Sequence, residues 1–208
     1  MQLVPGPPAA QPPAPLIARV RGILARPASE WSLIAVEATG SFDVMTRYAL
    51  PLAAIGAIAL FVGQVAIGLA VPMIGIVRAS VIAASLTAVT LLVLSILLVL
   101  AVAAIVNLLA PRFGGERNAS RAIKLAAFSH TPLWLAGIAY AVPWIGFLWI
   151  LGGLYSIYLA AVGMPGMMRC PKERAPAYAA AAGLCGLVLF AIVGSTIAAL
   201  TGFGPDFF

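Results

Sequence analysis

Charge is what this sequence has least of. Only 9% of its 208 residues are Asp, Glu, Lys or Arg, while 63% are hydrophobic and the mean hydropathy is +1.09. A soluble domain of this length cannot hide so much apolar surface, which leaves lipid as the solvent. Acid is scarcer than base, with six Asp and Glu against twelve Lys and Arg, and every acid lies outside the long apolar runs. Ion-coupled carriers and pumps keep carboxylates at membrane depth, so proton or sodium coupling is disfavoured. One histidine, His130, and two cysteines, Cys170 and Cys185, offer no metal-ligand spacing and no disulfide framework, and both thiols are expected to be unpaired. No glycine-rich loop follows a strand, and the Gly114-Gly115 pair reads as a turn between helices. A catalytic site needs a nucleophile, base or metal cluster at a usable spacing. The residues show none, so the expectation is a non-enzymatic protein without cofactor or metal. Basic residues interleaved with aromatics are also missing, which argues against a nucleic-acid partner.

What is present is a set of apolar runs separated by basic connections. Residues 1–15 carry no charge and six prolines, which excludes an apolar signal helix and suggests a disordered Pro-rich tail. Over residues 16–46, Leu16, Ile17, Val20, Ile23 and Leu24 share a helical face away from Arg19, Arg21 and Arg26. This is the pattern of a basic amphipathic helix on a membrane surface. Pro27 ends it, and Ser29 is placed to cap a second short helix whose Trp31, Ile34, Ala35 and Ala38 lie opposite Glu30 and Glu37. Trp31 suits the headgroup interface.

The expected fold is an all-α integral membrane protein with five transmembrane helices after these interfacial helices. The expected spans are 48–71, 80–109, 122–142, 144–164 and 177–200 within a domain of residues 47–208. Pro72 helps end the first span, Pro143 divides the third from the fourth, and Pro165 opens the loop before the fifth. The small residues Ala179 to Gly183 and Gly186 in the last span suit close packing inside the bundle, or a homo-oligomer contact. Five spans put every Lys and Arg except Arg78 on one side. The positive-inside rule makes that side cytoplasmic, with the N-terminus inside and the C-terminus outside a bacterial inner membrane.

Four blocks, RYALPLAAIG from Arg47, NLLAPRFGG from Asn107, AIKLAAFSHTPLWLAGI from Ala122 and LGGLYSIYLAAVGMPGMMRCPKERAPAY from Leu151, carry a family resemblance. The chain resembles a bacterial member of the Yip (Ypt-interacting protein) superfamily, in the branch formerly labelled a domain of unknown function. The resemblance implies five transmembrane helices and a cytoplasmic N-terminus. Eukaryotic members bind Rab-type GTPases, but this sequence has no long acidic cytosolic region, so that role is not carried over.

Chemistry within the spans concentrates at one hairpin. Asn107, Ser129, His130, Thr131 and Pro132 form the candidate intramembrane polar cluster. Antiparallel packing brings Asn107 level with Ser129 or His130, and Pro132 leaves the Phe128 carbonyl without its helical donor. The cluster reads either as interhelical hydrogen bonding or as a ligand site or gate. Arg19, Arg21, Arg26, Arg112, Arg117, Arg121, Lys124, Arg169, Lys172 and Arg174 are the candidate contacts for anionic phospholipid. Two functions follow. One is a protein that organises or binds membrane components or a partner membrane protein; the other is a passive small-solute or lipid pathway gated at Asn107 and His130.

Overall fold

The computed structural model describes residues 14–71, 75–142 and 145–201. The chain begins with α1 (Leu16–Ala25) and α2 (Pro27–Val36). Pro27 is the first residue of α2, where the absent amide costs nothing. Ser29 is therefore already inside the helix, and its hydroxyl donates to the Arg26 carbonyl at 3.0 Å instead of capping. The buried face of α2 is the expected one, with Trp31 and Ile34 enclosed.

The long helix α3 (Ser41–Ile67) starts seven residues before the expected span. Pro51 thus falls inside it, directly after a widened turn over Met45–Ala49 in which the Leu50 amide reaches back to the Met45 carbonyl. Such a π-turn accommodates a break in the hydrogen-bond ladder. Gly68, with φ 81°, ends α3 in a conformation open to glycine. Two three-residue strands follow, Leu69–Val71 and Gly75–Val77, paired antiparallel with Leu69 opposite Val77. Pro72 lies outside the described residues.

Helix α4 (Val81–Phe113) is capped by Ser80, whose hydroxyl accepts from the Ala83 amide at 3.2 Å. At 1.5 Å per residue it is about 50 Å long, more than a hydrocarbon core of about 30 Å. The return limb is not one helix. It comprises α5 (Ala119–Ser129), a joint at His130, α6 (Thr131–Ala136) and a tight 3-10 turn over Gly137–Tyr140. The continuous third span expected over 122–142 is therefore a broken segment, and Pro132 at the start of α6 supplies the physical reason. Gly137 lets this segment touch α3: a Cβ there would stand 2.9 Å from Gly56 Cα.

Pro143 and Trp144 lie outside the described residues. Helix α7 (Leu148–Met168) runs four residues beyond the expected end, with Pro165 inside its last turn. Helix α8 (Ala175–Thr201) closes the bundle. Its small face turns inward: a Cβ on Gly183 would meet Ile157 at 2.8 Å, and one on Gly186 would meet Val102 at 3.4 Å. Among the described residues four helices have the length and apolarity to cross a membrane: Ser41–Ile67, Val81–Phe113, Leu148–Met168 and Ala175–Thr196.

The N-terminal helices do not simply coat the surface. Trp31 seats its indole on Gly163 of α7, where a Cβ would come within 2.5 Å of the ring. The Tyr155 hydroxyl, also on α7, donates to the Leu24 carbonyl at 2.6 Å. Gly163→Leu is expected to force Trp31 out, costing about 1–3 kcal/mol by overpacking. Thermal unfolding in detergent and proteolysis within α2 measure this. Gly166→Leu, whose Cβ meets nothing within 4 Å, is expected to change neither.

Candidate functional site

The polar hairpin assembles differently from a mutual hydrogen-bond cluster. Thr131 is fully enclosed, and its hydroxyl donates to the Phe128 carbonyl at 2.7 Å. That is the acceptor Pro132 leaves without a helical donor, so the break is repaired from one residue away. The Thr131 oxygen in turn lies 2.6 Å from the Tyr48 hydroxyl. Because the Thr131 proton is committed to Phe128, Tyr48 is the donor, and a relay runs from α3 through Thr131 into α5. His130 turns back on its own helix, with Nδ1 2.8 Å from the Ala126 carbonyl. A carbonyl only accepts, so Nδ1 carries the proton.

Asn107 and Ser129 complete the expected set but join neither His130 nor each other. Asn107 Oδ1 and Ser129 Oγ are both buried without a protein partner. The fold therefore brings α4 and α5 together as a hairpin, while Thr131 and His130 bond locally and Asn107 Oδ1 and Ser129 Oγ stay unpaired. Pro132 packs its backbone against Gly152 of α7, where a Cβ would lie 3.1 Å from the Pro132 oxygen.

A second polar centre lies above this joint and was not apparent from the sequence. Arg19 is 4% exposed. Its guanidinium donates to Glu30 Oε1 at 2.6 Å and also to Glu37 Oε2. The same group stands 5.7 Å from the centroid of the Phe128 ring, a cation–π contact. Lys124, also buried, donates from Nζ to the Glu37 carbonyl oxygen at 2.8 Å, and the Thr39 hydroxyl donates to Glu37 Oε1. Arg19 and Lys124 are thus interior residues, which corrects their expected place among the lipid contacts. A buried cation is tolerable only with paired carboxylates, and Glu30 and Glu37 supply them. Their seven-residue spacing, two helical turns, was the one available signal. Beneath the cluster Phe128 meets Trp31 edge-on at 6.2 Å and Tyr48 at 4.5 Å between ring centroids.

The other expected contacts distribute simply. Arg21, Arg26, Arg112, Arg117, Arg169, Lys172 and Arg174 are exposed, and Arg121 is half-buried. Cys170 and Cys185 are free; burial raises the Cys170 thiol above its ordinary range, which keeps it protonated and unreactive. Among the described residues no three His, Cys, Asp or Glu side chains gather as a metal site.

Comparison with protein families matches the Yip1 domain over residues 21–193, from within α1 to within α8. The chain belongs to the Yip1-domain family. No curated protein and no solved structure matches it. The match takes in Glu30, Glu37, Lys124 and the broken limb and ends within α8, with Arg19 just before it; a Yip1 domain and these apolar helices make the chain a multi-pass membrane protein.

Arg19→Ala is expected to strand Glu30 and Glu37, with a loss of about 3–5 kcal/mol. Arg21→Ala on the exposed side of α1 is expected to stay within about 0.5 kcal/mol of the parent. Adding Glu30→Gln and Glu37→Gln to Arg19→Ala is expected to recover part of the loss. Thermal unfolding in detergent ranks the variants, and equal melting of the two alanine variants rejects the role given to Arg19.

Proposed function

We propose that this chain is a non-catalytic, five-crossing protein of a bacterial inner membrane that organises or binds membrane components through one basic end. The observation that carries this is convergence. The connection between α4 and α5, the connection between α7 and α8, and the start of α3 all meet at the same end. Arg169 of the second connection pairs with Glu116 of the first at 2.9 Å, and Ser41 bonds Ser120 at 3.0 Å. Arg112, Arg117, Lys172 and Arg174 stand exposed there with no carboxylate partner among the described residues, whereas Arg78 sits at the opposite end. Each basic residue near an anionic bilayer surface contributes about 1 kcal/mol of attraction.

The fifth crossing is assigned to the broken limb. Ala119 to Tyr140 rises about 33 Å at 1.5 Å per residue, enough for a hydrocarbon core of about 30 Å. Interrupted helices are tolerated at that depth where protein encloses the break and its polar groups are satisfied. Thr131 meets both conditions here. An odd number of crossings separates the termini, and the positive-inside rule assigns the basic end and the N-terminus to the cytoplasm. A reporter active only outside the cytoplasm is expected to work when fused after Phe208 and to be silent at the N-terminus. A silent C-terminal fusion removes the five-crossing reading.

The binding role has its own measurement. Protein purified in mild detergent is expected to retain anionic phospholipid in excess of its share of the membrane, or a partner membrane protein, or a second copy. Combining Arg112→Glu, Arg117→Glu, Lys172→Glu and Arg174→Glu is expected to abolish the lipid excess. Recovery of a lone monomer with phospholipid in bulk proportion counts against the proposal. The alternative, a passive solute or lipid pathway gated at Asn107 and His130, has a cavity beside His130 in its favour. It lacks a hydrogen bond between the two residues that would form its gate.

A further inference from the structure

Where the broken limb leaves the line of a straight helix, space opens between it and helices α3, α4, α7 and α8. The cavity measures about 50 Å³ and is not sealed from the bundle surface. Room for a few water-sized groups is present. Its wall is aromatic: Tyr140 meets Trp149 at 4.5 Å, Trp149 meets Phe190 at 5.5 Å, and Trp134 lies alongside. Ser95, on α4, is about 21 Å from one end of its helix and about 27 Å from the other, which places the cavity near mid-membrane.

Ser95 and His130 both line this largely apolar space, together with the hydroxyl-bearing Tyr140. His130 lines it, and because Nδ1–H is bound to Ala126, the neutral ring keeps Nε2 as a free acceptor. Ser95 accepts from Trp134 Nε1 at 3.0 Å, which fixes the hydroxyl in place and leaves its proton without a protein acceptor. One donor and one acceptor lining the same cavity complement a group that both accepts and donates. A hydroxyl does this. A carbonyl would leave His130 unmet, a carboxylate would bring unpaired charge to mid-membrane, and an alkane would leave both groups bare.

We infer that the cavity is a binding site for a neutral, membrane-dissolved alcohol or phenol. Its hydroxyl sits between Ser95 and His130, its apolar body lies against Tyr140, Trp149 and Phe190, and the remainder leaves through the open side into lipid. The site lies at mid-membrane, away from the basic end, and stands or falls separately from the binding role of that end.

The test uses the full-length protein in phosphatidylcholine nanodiscs and two photoactivatable diazirine probes, a hexadecanol and an alkylphenol, each beside its methyl ether. Peptide mapping is expected to show saturable labelling of the segments holding Trp149 and Phe190 by at least one hydroxyl probe. The probe that labels at lower concentration identifies the ligand as aliphatic or phenolic. The matching ether is expected to label about three- to tenfold more weakly, the usual consequence of losing one hydrogen bond. Ser95→Ala and His130→Phe are each expected to weaken labelling by a similar factor. Val193→Phe fills the cavity without touching either polar group and is expected to abolish saturable labelling, with elution volume and melting confirming that each variant is folded. Equal labelling by alcohol and ether overturns the proposal, as does labelling confined to the outer residues Leu184, Val188 and Ile192. Absence of saturable labelling in the folded parent means that the site holds water only, and overturns it too.

Discussion

The buried guanidinium of Arg19 is the interaction on which the packing of the N-terminal helices against the bundle is built. A cation with 4% exposure must be neutralised where it stands, and two carboxylates from α2 and its exit do so. That requirement sets the angle of α1 against α2, because both ends of the fork must reach their partners. Glu37, held in this way, presents its carbonyl to Lys124 and its side chain to Thr39, which ties the exit of α2 to α5. The flat face of the guanidinium covers Phe128, and Phe128 is the ring around which Trp31 and Tyr48 pack. One buried charge thus couples the N-terminal helices to α3 and α5 of the bundle.

The broken limb is the second constraint, and it follows from the first at close range. Phe128 sits below the ion cluster, and its carbonyl is the one that Pro132 leaves open. Thr131 closes that gap with a proton and takes another from Tyr48, so the carbonyl that Pro132 opens is satisfied. Satisfaction matters more here than in water, because an unpaired backbone group in hydrocarbon has no solvent to turn to. The bend then lets Gly137 cross Gly56 closely and leaves the cavity beside His130. Proline, threonine and two glycines together convert a helix that would merely span into one that encloses a space.

Much of this was legible beforehand. The apolar runs, the basic connections, the inward small face of α8 and the α4–α5 hairpin all follow from composition and local order. Trp31 and Ile34 were placed on the correct face by their spacing, although Trp31 packs on Gly163 and not among headgroups. Other features were not legible. Periodicity set Arg19 apart from the apolar face of α1, but its partners lie 11 and 18 residues away and its aromatic floor is Phe128. The polar hairpin looked like a cluster because its residues are neighbours in a chain drawn as two straight helices. Helical rotation and the His130 joint point them in different directions.

What the sequence determined by itself is the solvent and the segmentation: an apolar chain, cut by prolines and basic turns, has no stable home outside a bilayer. These are consequences of composition and of bonds between near neighbours. Only the tertiary structure decided which charges are interior, which hydrogen bond repairs Pro132, and where the bundle leaves room. Those outcomes depend on groups far apart in the chain reaching contact distance, and in a membrane the cost of an unpaired charge or amide makes such meetings decisive.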